Sequence, residues 1–200
     1  MKKVTVLLAA FFLLTAFKHQ GYHVGEIADD FKLKNIDGKM VSMADYKNAK
    51  GFIVVFTCNH CPFSKKYENR INALNKKYEK AGYPVIAINP NDASQHEIDN
   101  FEGMQKRAKE KKFTFPYLHD ETQQVAHTYG ATKTPDIFIL QREGKDLIVK
   151  YTGAIDDNSD DEKAVTQKYV ENAVDALLQG QPVAVNATKA VGCSIKWKKQ

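Results

Sequence analysis

The segment "DFKLKNIDGKMVSM" alternates apolar and polar positions on both sides of Asp37-Gly38, the pattern of two half-buried strands joined by a tight turn. "GFIVVFT" (51–57) does not alternate. It is an unbroken β-branched and aromatic run, which predicts a strand buried on both faces. From Pro62 to Ala81, Phe63, Tyr67, Ile71, Leu74 and Tyr78 recur at spacings of four, four, three and four. That is one apolar stripe along a helix, closed by Gly82. "PVIAIN" (84–89) reads as a second buried strand, so strand, long helix and strand form a βαβ unit with parallel neighbours.

Residues 93–112 carry Ile98, Phe101, Met104 and Ala108 on a charged background and predict a further helix. "FTFPYL" (113–118) predicts a short strand, and "ETQQVAHTYG" (121–130) a short helix ended by glycine. "DIFIL" (136–140) and "LIVKYTG" (147–153) flank "QREGKD", a hairpin turn. A last amphipathic helix is predicted over 162–179, through Val165, Val170, Val174 and Leu177. From Gln181 onward little periodicity is left. Hairpin, β-α-β, inserted helix and β-β-α give an α/β domain, a central sheet with helices on both faces.

Composition changes little in this picture. A chain of 200 residues with 43% hydrophobic and 26% charged residues suits one globular domain with accessories. The net charge of +5 is spread along helices rather than gathered in a block, which argues against a nucleic-acid surface. The N-terminus stands apart. Met1, Lys2 and Lys3 precede "VTVLLAAFFLLTAF", 14 uncharged residues, too short to span a bilayer comfortably and built like a secretory signal. An uncleaved anchor is the alternative. Loss of Lys2 and Lys3 would take the charge from +5 to +3. The expected organisation is a signal over 1–17, a linker over 18–23, a domain over 24–180 and a tail over 181–200.

Export changes the meaning of the cysteines, because outside the reducing cytosol a pair persists as a disulfide. There are three, Cys58, Cys61 and Cys193. "CNHC" (58–61) falls where the buried strand ends and the helix begins, the edge at which open α/β sheets build active sites. Unpaired N–H groups at a helix start stabilise a thiolate, the only nucleophilic form of cysteine. His60 can bring a donor or a positive charge to the same sulfur. Pro62 is tolerated in the first helical turn and restricts access to Cys61, so Cys58 is the expected exposed attacker and Cys61 the resolving thiol. Zinc would need two further ligands. Cys193 with His96, His119 or His127 could supply them only through folding, and no second C-x-x-C accompanies the first. A purely structural disulfide is the other alternative. Cys193 could be a third redox thiol, an intermolecular linker or a small buried hydrophobe. "DDNSDDE" (156–162) begins like a calcium loop but has Asp161 at the glycine position and Gln167 at the twelfth, so a solvated loop capping the last helix is expected.

"VVFTCNHCPF" after a strand, and "ATKTPDIFIL" before a hairpin, resemble the thioredoxin fold. "GEIADDFKLKNIDGKMVSM" resembles the front end of its redoxin branch, which holds peroxiredoxins and exported thiol–disulfide oxidoreductases. The resemblance runs from about Val24 to Gly180. It implies a Cys58 nucleophile, a Cys61 resolving thiol and a cis-proline turn at Thr134-Pro135, beside the disulfide, that offers backbone hydrogen bonds to a substrate strand. Thr57 and Thr134 would line that substrate site. The implied activity is exchange of disulfides with exported proteins and a redox donor or acceptor in the bacterial periplasm or envelope, without a bound cofactor or metal. Two features depart from the thioredoxin pattern. Thr57 stands where thioredoxin has tryptophan, "GFIVVFT" carries no buried acid, and Asp136 is the nearest substitute for that acid. The P-x-x-x-T-x-x-C arrangement of peroxiredoxins is missing, which leaves peroxidase activity as the second reading.

Overall fold

The computed structural model describes residues 21–199. The expected signal, 1–17, and the first part of the expected linker lie outside the described residues. Among the described residues no helix is long and apolar enough to cross a membrane.

The alternating segment forms a hairpin, β1 (Lys32–Asn35) and β2 (Met40–Ser42), with Gly38 at φ +85° in the turn. The unbroken apolar run is β3 (Gly51–Phe56), every residue of it buried. Next come α1 (Pro62–Tyr78) and β4 (Val85–Asn89), parallel to β3 as the βαβ reading requires. The chain continues through α2 (Phe101–Lys111), β5 (Tyr117–His119), α3 (Gln124–Tyr129), β6 (Lys133–Thr134), β7 (Asp136–Glu143), β8 (Asp146–Gly153), α4 (Tyr169–Leu178) and β9 (Cys193–Ser194). The main sheet has the order β2-β1-β5-β4-β3-β7-β8, with β3, β4 and β5 parallel and the other pairings antiparallel. This is the expected α/β thioredoxin-like arrangement.

Alternation along β3 divides the core. Ile53 and Val55 face α1, α2 and α4, against Tyr67, Ile71, Met104 and Val174. Phe52, Val54 and Phe56 face the other way, onto Tyr22, Phe31, Tyr129 and Ile195. Each fully buried side chain of this size contributes about 1.5–3 kcal/mol. That double packing makes β3 a rigid support for the residues that follow it.

Four sequence expectations shift. The helix expected over 93–112 begins only at Phe101, because the Asn100 side chain accepts from the Gly103 N–H and caps it. Before it, residues 97–99 form a single 3₁₀ turn that carries Asp99 inward. The last helix begins at Tyr169 rather than 162, and residues 162–164 are again a 3₁₀ turn. The acidic loop is not simply a solvated cap. Asp156 is buried and accepts from Arg70 Nη1 at 2.7 Å and Tyr67 Oη at 2.8 Å, while Asp161 caps the 3₁₀ turn and not α4. Finally, the strand expected over 113–118 is displaced to Tyr117–His119.

The chain beyond Gln181 is not a loose tail. The Thr152 N–H donates to the Asn186 carbonyl and the Thr188 N–H to the Thr152 carbonyl, which lays the segment along β8. Trp197 stacks on His127, with ring centroids 4.1 Å apart. Ile195 is buried, and β9 pairs with β6 in a second, two-stranded sheet. Hydrogen bonding to distant partners holds this stretch, and that leaves no periodic signature in a sequence.

Candidate active site

β3 ends when the Thr57 N–H makes its last ladder bond to the Ile88 carbonyl, 2.8 Å away. The chain then turns through Cys58, Asn59 and His60, and Cys61 is the N-cap of α1 with Pro62 in the first turn. One carboxylate folds this turn. Asp99 Oδ1 accepts from the Asn59 N–H at 2.6 Å and the His60 N–H at 3.2 Å. Its Oδ2 accepts from Asn91 Nδ2 at 2.9 Å and lies 2.6 Å from His60 Nδ1. Asp99 is fully buried, and these four donors are what make a buried carboxylate tolerable.

The bond to Asp99 decides what His60 does. Nδ1 also lies 3.5 Å from Cys58 Sγ and 3.2 Å from Asn91 Nδ2. A single ring nitrogen carries one proton, and the charge-assisted bond to Asp99 is the shortest, so Nδ1–H donates there. The expectation that His60 aims its donor at the sulfur is therefore corrected in part. His60 is beside Cys58, but its Nδ1 proton is directed to Asp99. His96 stacks on the same ring, centroids 4.0 Å apart, whereas His119 packs against Phe101 and His127 against Trp197.

On the other side stands the Thr134–Pro135 bond, which is cis. Thr134 touches both sulfurs: its Oγ1 is 3.1 Å from Cys58 Sγ, and its carbonyl accepts from Cys61 Sγ at 3.2 Å. Ser64 Oγ, one turn into α1, lies 3.9 Å from Cys58 Sγ. Both thiols are free and both are buried, Cys58 at 3% exposure and Cys61 at 0%. Cys58 is thus marginally the more accessible residue of the two but not an exposed one, with Thr134 and His60 against its sulfur.

The two thiols titrate as a unit. Donation from the Cys58 thiol, with smaller help from Cys193 and the Ser64 N–H, brings Cys61 down to about 4 against its burial. Cys58 moves the other way, well above an ordinary thiol, through the same bond to Cys61, its burial and the Asp99 charge. The pair therefore holds one proton more loosely and the other more tightly than separate thiols would.

Cys58, Cys61, His60, Thr134 and Pro135 come together as the sequence suggests. Thr57 is buried below them, its backbone in the sheet, with no side-chain hydrogen bond to either sulfur. Asp136 does not reach the sulfurs either. Its carboxylate accepts from the Thr132 N–H at 3.3 Å, inside the cis-proline loop, and burial raises it to about 7. Asp99, Asn91 and Ser64 escaped the sequence reading, since Asp99 fell in a stretch read as helix. The Pro-, Asn- and Asp-rich "NPNDAS" (89–94) is the one available sign that a loop precedes it.

Cys58, His60 and Asp99 also offer three ligand atoms within 4.8 Å of one another. The set does not fit a metal well: His60 and Asp99 are already hydrogen-bonded at 2.6 Å, and Asp99 has no acceptor capacity to spare.

The AhpC/TSA family model matches residues 24–151, nearly two-thirds of the chain. The chain belongs to the AhpC/TSA family. Within this family it is a thioredoxin-fold redoxin, and an oxidoreductase. The solved structure of an uncharacterized conserved protein from Geobacillus kaustophilus is 41% identical, covers 89% of this chain and 94% of its own, and superposes with a TM-score of 0.82. The thiol–disulfide oxidoreductase ResA of Bacillus thuringiensis subsp. konkukian is 27% identical over 128 residues, 64% of this chain and 69% of the relative. A Helicobacter pylori protein named "Putative peroxiredoxin bcp" is 29% identical over 108 residues, 54% of this chain and 66% of the relative.

Proposed function

We propose that this protein is an exported thiol–disulfide oxidoreductase that trades the Cys58–Cys61 disulfide with partner proteins through a mixed disulfide on Cys58. The observation that carries the reading is the placement of both sulfurs at the strand–helix junction against Thr134, with Cys58 marginally the more accessible residue. In the oxidised protein a partner thiolate attacks Cys58 Sγ, the Cys58–Cys61 bond breaks, and Cys61 leaves as a thiolate. The Ser64 N–H at the start of α1 and Cys193 remain to stabilise the departing Cys61 thiolate. A second partner thiolate then displaces Cys58, so that two partner thiols become a disulfide and the protein is left as the dithiol. In the reductive direction the same steps reverse: Cys58, which burial and Asp99 hold protonated in the resting dithiol, gives up its proton and attacks a partner disulfide, and Cys61 resolves the mixed disulfide. Kinship with ResA supports this reading, and the apolar N-terminal stretch supports export to the periplasm or envelope. Thr134 and Pro135 serve as the edge that receives the partner strand.

The test is trapping. Cys61→Ser, incubated with a disulfide-bonded substrate protein, should accumulate a mixed disulfide through Cys58, and Cys58→Ser should accumulate none. Absence of any trapped species would overturn the reading. Peroxidase activity is the second reading, favoured by the peroxiredoxin relative. It predicts peroxide consumption with a thiol donor and over-oxidation of Cys58 at high peroxide. Rapid disulfide exchange without peroxide turnover would exclude it.

A further inference from the structure

The edge beside the cis-proline is already occupied. β9 runs antiparallel to β6, with Cys193 opposite Thr134, Ser194 opposite Lys133, and the Ile195 N–H donating to the Thr132 carbonyl at 3.1 Å. The strand approaches so closely that a Cβ on Gly192 would lie 2.2 Å from the Thr134 carbonyl oxygen and 3.0 Å from the Pro135 nitrogen. Only glycine fits there. Residues opposite one another in an antiparallel pair present their side chains on the same face. Thr134 directs its Oγ1 at Cys58 Sγ, and its carbonyl receives Cys61 Sγ. Cys193 is therefore delivered to the face on which the redox pair lies, and its thiol interacts with the Cys61 sulfur.

The tail is held in this register by several partners. The Lys196 N–H donates to Asn91 Oδ1 at 2.9 Å, Gln123 Nε2 donates to the Lys196 carbonyl at 2.8 Å, and the Lys198 N–H donates to Gln123 Oε1 at 2.8 Å. Ile195 is buried beneath it and Trp197 stacks on His127. So much anchoring distinguishes Cys193 from a cysteine that happens to lie in a tail.

We propose that Cys193 is a third redox thiol, carried by the protein's own C-terminal strand into the position of a substrate cysteine, and that it exchanges disulfides with Cys61. The inference rests on the oxidoreductase reading above. In the exchange, the Cys193 thiolate attacks Cys61 Sγ of the Cys58–Cys61 disulfide. The Cys61–Cys193 bond forms, the Cys58–Cys61 bond breaks, and Cys58 leaves as a thiolate that takes up the proton Cys193 has lost. The number of disulfides is unchanged, so no outside oxidant or reductant enters. The consequence is a latch: a Cys61–Cys193 bond fastens the tail across the edge at which a partner strand would add, while the reverse exchange releases it.

The test oxidises the full chain with one equivalent of diamide, quenches with acid, alkylates the remaining thiol and maps it by peptide mass. The exchange predicts alkylation divided between Cys58 and Cys193, and an intramolecular Cys61–Cys193 disulfide in Cys58→Ser. Gly192→Ala, which cannot keep the strand in register, should slow closure of the Cys61–Cys193 bond by roughly tenfold or more, yet leave closure of Cys58–Cys61 unchanged. If Cys193 carries all the alkylation while Cys58–Cys61 forms normally, the third-thiol proposal alone fails. If no disulfide forms at all, it falls together with the oxidoreductase reading.

Discussion

Two buried carboxylates flank the redox pair, and they are built in opposite ways. Asp99, on the His60 side, is met by four donors from three residues. Asp136, on the cis-proline side, is met by backbone N–H groups of its own loop, and burial outweighs them, leaving it at about 7. Asp99 holds the C-N-H-C turn in shape and sets the charge beside Cys58. Asp136 holds the loop that presents Thr134. The contrast teaches that adjacency in sequence to a motif does not identify the acid that governs it. Asp136 follows Thr134-Pro135 directly and yet reaches neither sulfur. Asp99 comes 38 positions after Cys61 in the numbering and organises the turn between the cysteines.

The largest effect tests what both carboxylates serve. Cys58→Ser should lower disulfide exchange on the order of 10³-fold or more, read as the rate of reduction of a disulfide-bonded substrate by dithiothreitol. Asp99→Ala comes next, since it strands several buried donors. Its cost should be about 3–5 kcal/mol in urea unfolding, and a loss below about 1 kcal/mol would show that Asp99 does not organise the turn. Asp99→Asn keeps an acceptor and removes the charge. The alkylation profile of Cys58 should then move to lower pH, whereas Asp136→Asn should leave that profile in place.

Asp136 should reveal itself in stability instead. Its folded pKa of about 7 stands above its ordinary 3.8, so the folded protein keeps a proton that the unfolded chain has lost between those values. The contribution is whole below about pH 4 and disappears as pH rises through about 7. At about 1.36 kcal/mol per pH unit, the ceiling on that loss is about 4 kcal/mol. Urea unfolding from pH 4 to 8 should show the decline, and Asp136→Asn should flatten it. The smallest effect belongs to His60→Ala. With its Nδ1 proton given to Asp99, His60 should change the exchange rate by less than about tenfold, and a greater loss would mean that the imidazole acts on the sulfur directly.

Much of the scaffold was legible because it follows from local pattern. The buried run 51–57, the stripe from Phe63 to Tyr78 and the second run 84–89 give β3, α1 and β4 nearly to the residue. The cysteine pair and Thr134-Pro135 were legible as motifs. What escaped was everything held by long-range hydrogen bonds. Asp99 breaks the predicted helix because it is pulled toward the Asn59 and His60 N–H groups, a force that acts across the fold and not along the chain. The segment after Gln181 has no apolar period to read, because it is fixed by Gln123, Asn91 and the β6 backbone. The sequence therefore left Cys193 open between a third redox thiol, an intermolecular linker and a buried hydrophobe, and only the pairing of β9 with β6 brings it to the redox pair.

The most direct measurement is the redox equilibrium of the Cys58–Cys61 pair. The chain would be held in glutathione and dithiothreitol buffers of defined potential, trapped by alkylation and weighed. One two-electron transition is expected between about −270 and −120 mV, with a disulfide of Cys61 on its oxidised side, to Cys58 or, after exchange, to Cys193. Thiols that stay free across that whole range would contradict it.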